Sequence, residues 1–83
     1  LVYTAFNWQK RSPLQTIAII CIKLEQGISE EKIKVDLDLN EYDDNLFSFC
    51  VEFALENNFL IKQEKGKYAI TNTGKEFVSA FQS

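Results

Sequence analysis

The chain has 83 residues, of which 46% are hydrophobic, 13% aromatic and 25% charged, with one proline and three glycines. That length holds one domain, and that composition excludes disorder, collagen-like repeats and a disulfide-stapled mini-protein. Histidine is absent, which excludes Ser-His-Asp and Cys-His catalysis, imidazole proton shuttling and imidazole-dependent zinc sites; a non-enzymatic protein with no cofactor and no metal is expected.

The net charge of −3 is unevenly spread. Residues 1–24 carry Lys10, Arg11 and Lys23 and no acid, residues 25–56 carry ten acids against Lys32 and Lys34, and residues 57–83 carry four lysines against Glu64 and Glu76. An acidic middle therefore lies between two basic ends. The first residue is Leu1, as expected of a processed chain or a domain cut from a longer one, and no small-residue cleavage site follows an apolar core near it, so no signal peptide is expected. The longest apolar run, Ile17 to Ile22, is far short of the roughly 20 residues that span a bilayer. A soluble protein is expected, with the cytoplasm as its compartment and no membrane partner. Cys21 and Cys50 lie within apolar, helix-like segments and read as small buried hydrophobes; a disulfide between them is the alternative.

In chain order, residues 1–12 form an arm or extension holding Tyr3, Phe6 and Trp8, whose spacing does not separate strand from helix. Ser12 and Pro13 then open a helix, a capping hydroxyl followed by proline at the first helical position. It runs to Gly27, a usual C-terminal residue, with Leu14, Ile17, Cys21 and Leu24 as its inner stripe. Ser29 caps a second helix, with Glu30 and Glu31 at its positive end; Ile33, Val35 and Leu37 supply its apolar contacts up to about Leu39. A third helix, capped by Asn40 or Asp43, extends to about Asn57. Its inner face holds Leu46, Phe49, Cys50, Phe53 and Ala54; Phe47, Val51 and Leu55 widen the apolar arc, and Glu41, Asn45, Ser48, Glu52 and Glu56 form the polar stripe. Residues 59–63 and 67–71 then flank Glu64, Lys65 and Gly66 as two strands of a hairpin, with Gly66 at a positive-φ turn position. A final helix is capped at Asn72 or Thr73, with Phe77, Val78 and Phe81 inward. The fold class is α+β, mainly α.

The run from Phe53 to Ile61, Phe-Ala-Leu-Glu-Asn-Asn-Phe-Leu-Ile, is similar to an "L-x-x-x-G-L-I" exit from a third helix into a hairpin. Gly66 to Gly74, Gly-Lys-Tyr-Ala-Ile-Thr-Asn-Thr-Gly, is similar to a "Y-x-L-T-x-x-G" return strand and helix start. With the element order, these runs make roughly residues 13–81, within a domain expected over 13–83, resemble the winged helix-turn-helix superfamily, in particular its small bacterial and archaeal regulators. Asn58 stands where the family has glycine, a residue that tolerates the left-handed backbone. The resemblance implies a three-helix bundle, a hairpin wing and a C-terminal helix, and a role in DNA binding and transcription regulation.

In that family the third helix enters the major groove and the wing touches the backbone or minor groove. Here the corresponding stripe, Glu41, Asn45, Ser48, Glu52 and Glu56, has three glutamates and no base, a repulsive face for a polyanion. Lys62, Lys65 and Lys67 cluster on the wing beside Tyr68, which can stack, so weak duplex DNA contact is expected there; solvation of an exposed hairpin edge accounts for the same lysines. The alternative is a protein-interaction or homodimerisation module that presents Glu41, Glu52 and Glu56 with Phe47, Val51 and Leu55. Asp36, Asp38 and Asn40 match the first spacings of a calcium loop, but Glu41 stands at its glycine position and Phe47 at its bidentate-glutamate position, so a solvated connection is expected instead.

Overall fold

Three helices in this chain end by the same device, and that device sets the direction of each connection. The computed structural model describes residues 13–39 and 44–81. Helix α1 spans Pro13–Glu25, α2 Glu30–Asp36 and α3 Asp44–Glu56. After α1, Gly27 adopts φ 81°; its N–H donates to the Leu24 carbonyl at 3.0 Å and the Ile28 N–H donates to Lys23 at 3.1 Å. Asp38 (φ 59°) and Leu39 repeat the pattern after α2, and Asn58 (φ 62°) and Phe59 repeat it after α3. In each case a left-handed residue satisfies the last carbonyls and the hydrophobic residue after it turns back toward the core.

The N-termini are equally local. Ser29 Oγ accepts the Lys32 N–H at 3.2 Å, capping α2 as expected. The short α2 gains an i,i+4 pair between Lys34 and Glu30 at 2.7 Å. Both proposed caps of α3, Asn40 and Asp43, and the arm over residues 1–12 lie outside the described residues.

Helix α1 is the centre of the core. Ile17, Ile20 and Cys21 are essentially inaccessible to solvent, and they meet Leu46, Cys50 and Ala54 of α3, with Ile33, Leu37, Leu39, Leu60 and Val78 completing the cluster. Each large aliphatic side chain so buried is worth about 1.5–3 kcal/mol. Four expectations are corrected, the first being Leu14, placed on the inner stripe of α1 but 42% exposed in its first turn. α2 ends at Asp36, short of Leu39, and Val35 is 74% exposed, because Ile33 and Leu37, four apart, take the single inward stripe that so short a helix offers. Helix α3 is rotated relative to the expected arc: Phe47 is buried at 5% exposure whereas Phe49 is 40% exposed. Centring the helix on Leu46, Cys50 and Ala54, which face α1, brings Phe47 in and swings Phe49 out.

Beyond α3 the chain forms a two-stranded antiparallel sheet, β1 Leu60–Lys62 and β2 Tyr68–Ile70, in the register Leu60 to Ile70, Ile61 to Ala69 and Lys62 to Tyr68. Such a hairpin is marginal alone and is held at its base. Leu60 is buried in the core, and Glu25 of α1 accepts the outward N–H of Ile70 at 2.9 Å. Helix α4 spans Asn72–Ala80. Its cap is Thr71, one residue before the expected Asn72 or Thr73, because the Thr71 hydroxyl accepts the Gly74 N–H at 2.9 Å while donating to the Asn58 carbonyl. The result is a mainly helical α+β domain with one small sheet, and among the described residues no helix is long and apolar enough to cross a membrane.

Two predictions follow from this packing. A Cβ on Gly74 would overlap the Phe59 carbonyl oxygen and come within 2.8 Å of Ile70 Cγ2. Gly74→Ala should therefore cost about 2–3 kcal/mol in urea denaturation; a cost near zero would show that the hairpin base is not packed against α4. The second concerns Cys21 and Cys50, which are free thiols that burial pushes from an ordinary value of 9.0 up to about 12. Between those values the unfolded chain loses the thiol protons while the folded chain keeps them, so their contribution is intact below pH 9 and is lost as pH rises toward 12. Both thiols act in the same direction, so the loss steepens as pH rises across that window. Between pH 8 and pH 10 the wild type should lose more stability than C21A/C50A; equal losses would count against it.

Candidate interaction surface

The hairpin tip is built by two consecutive residues at positive φ. Lys65 lies at φ 60° and Gly66 at φ 73°, with the Lys67 N–H reaching the Glu64 carbonyl at 3.3 Å and the Gln63 N–H reaching Lys67 at 2.7 Å. This mirror-image turn matches the twist of the flanking strands. Gly66 occupies its position without steric penalty; a lysine at Lys65 carries one of about 1–2 kcal/mol. Lys62, Lys65 and Lys67 are all exposed around this tip. None of the three forms an ion pair with a described residue. Tyr68 is half-buried, opposite Lys62 in the register.

On α3, Asn45, Ser48, Glu52 and Glu56 are exposed, as their spacing predicts, while Glu41 lies outside the described residues. Val51 and Leu55 are half-buried along the flank that faces the hairpin. Phe47, expected among the outward residues, is a core residue that shows only an edge at this flank, and Lys34 sits 5.4 Å from its ring centroid.

These two sets of residues meet. A groove of about 650 Å³ runs between α3 and the hairpin tip. One wall is Ser48, Val51, Glu52 and Leu55; the opposite wall is Lys65, Gly66, Lys67 and Tyr68. Buried Phe47 and Leu24 and half-buried Ile28 line its bottom, and Gly27, Ser29 and Glu30 of the α1–α2 connection complete the lining. Residues assigned from sequence to two separate surfaces thus share one concavity. Lys62 and Glu56 stay outside it, and Lys62 borders a shallow depression at the tip together with Gln63, Glu64, Lys65 and Lys67. The contribution of the α1–α2 turn was not legible in the sequence; its nearest signal is Ile28, an apolar residue directly after the Gly27 stop.

The acidic connection has local roles. Asp36 pairs with Lys23 at 3.4 Å and with Lys32 at 3.6 Å, and Asp38 is the left-handed residue that ends α2. No cluster of metal-ligating side chains occurs among the described residues. Comparison with models of protein families, with curated proteins and with solved structures finds no match for this chain.

The turn makes a direct prediction. Asparagine adopts the left-handed conformation more readily than lysine, so Lys65→Asn should raise stability by about 0.5–1 kcal/mol in thermal or urea denaturation. A loss of stability would mean that the Lys65 stem is packing against the groove.

Proposed function

We propose that this chain is a non-catalytic winged-helix binding module of a DNA-associated or transcription-regulatory protein, and that it contacts duplex DNA through its wing. The element order of three helices, a hairpin and a final helix supports the winged-helix reading. So does the Thr71 to Gly74 junction, which gives the "T-x-x-G" part of the resemblance a physical purpose. The observation that carries the DNA reading is the tip itself: three exposed lysines, unpaired among the described residues, on a short hairpin that projects them together. Phosphate contacts of this kind supply affinity without sequence selection. Helix α3 is assigned no base-reading role, because its exposed stripe carries Glu52 and Glu56 and no base, and these repel phosphate within a screening length of roughly 10 Å.

Fluorescence anisotropy with a random-sequence duplex at two salt concentrations tests this. Weak binding is expected, with a log–log salt slope of about −2.7 for three neutralised phosphates. K62A/K65A/K67A should abolish it, and E52A/E56A should leave it intact or tighten it. Absence of binding at low salt, or loss of binding in E52A/E56A, contradicts the reading.

A further inference from the structure

We infer that the groove between α3 and the wing tip docks an amphipathic helix of a partner protein, with basic residues along one edge of that helix and acidic residues along the other. The inference is independent of the DNA reading, since it rests on the groove and not on phosphate contact.

The shape comes first. Ser48, Val51, Glu52 and Leu55 follow one another at helical spacings of three, one and three, so their wall is a straight stripe of about two turns, roughly 10 Å long. Val51, Leu55 and Tyr68 are half-buried and offer apolar surface from both walls. A partner helix of two to three turns, with apolar residues at i, i+3, i+4 and i+7, fills such a space.

Charge then selects the partner. Glu30 is already answered by Lys34 at 2.7 Å. Glu52 on one wall and Lys65 and Lys67 on the other are exposed and form no ion pair with a described residue. The open charges are therefore negative along α3 and positive along the wing. A nucleic acid lying in the groove would bring phosphates against Glu52, and a uniformly basic peptide would bring cations against two lysines. Only a segment with edges of opposite sign satisfies both walls, and the apolar stripe between those edges matches the groove bottom.

Three labelled, end-capped 14-residue peptides with the same leucine stripe provide the probe: one with lysine along one edge and glutamate along the other, one with lysine on both, and one with glutamate on both. A helix can enter the groove in either direction, so a single mixed peptide suffices. Anisotropy titration of the full chain should show the mixed peptide binding about fivefold or more tighter than either uniform peptide, as expected when one to two exposed pairs are gained and none is repelled. Glu52 is exposed, so E52K should fold normally, make both walls basic and transfer the preference to the glutamate-edged peptide. Equal binding of all three peptides, a wild-type order led by a uniform peptide, no binding of any, or an order unchanged by E52K would each overturn the proposal.

Discussion

The carbonyl group of Phe59 and the hydroxyl of Thr71 hold together the place where three elements meet. Phe59 accepts the Thr71 N–H at 3.0 Å, closing the base of the hairpin. The Thr71 hydroxyl donates to Asn58, which ends α3, and accepts from Gly74 in the first turn of α4. Gly74 lies so close to the Phe59 backbone that there is no room for a side chain. The exit of α3, the two strands and the start of α4 are thereby fixed relative to one another, and the direction of the hairpin is fixed with them. A three-residue strand pair has too little sheet of its own to set that direction.

With the hairpin so aimed, the surface around it divides by charge. The lysines gather at a tip whose backbone requires positive φ at two successive residues, and the carboxylates stay on the outer stripe of α3. The groove between them is where the signs face each other across Val51, Leu55 and Tyr68. Phosphate contact would use only the basic side; a helix with two differently charged edges would use both. The aromatic row along the other flank of α3, from Phe49 and Phe53 through the stacked Phe59 and Phe77 to Phe81, ties α3, the hairpin entry and α4 together away from this groove.

Signals carried by one or two neighbouring residues were legible in the sequence: proline at the start of α1, Gly27 at its end, Ser29 capping α2, Gly66 in the turn, and the exposed stripe of α3. What depended on tertiary choice was not. Phe47 and Phe49 both lie on the broad apolar arc of α3, and only the position of α1 decides which is buried. Three hydroxyl or amide residues compete to cap α4, and Thr71 prevails because Asn58 lies within reach of its hydroxyl. Asp38 looks like a ligand in a run of acids, yet its role is conformational. The wing lysines and the α3 flank could each be named from sequence, but their sharing of one groove depends on how the hairpin folds back, which no local pattern carries.

The most direct test of the account is backbone amide chemical-shift mapping of the ¹⁵N-labelled chain during titration with a random-sequence duplex. Changes are expected at Lys62 and from Lys65 to Tyr68, with Asn45, Ser48, Glu52 and Glu56 unmoved. Changes concentrated on the α3 stripe, or none on the wing, would contradict it.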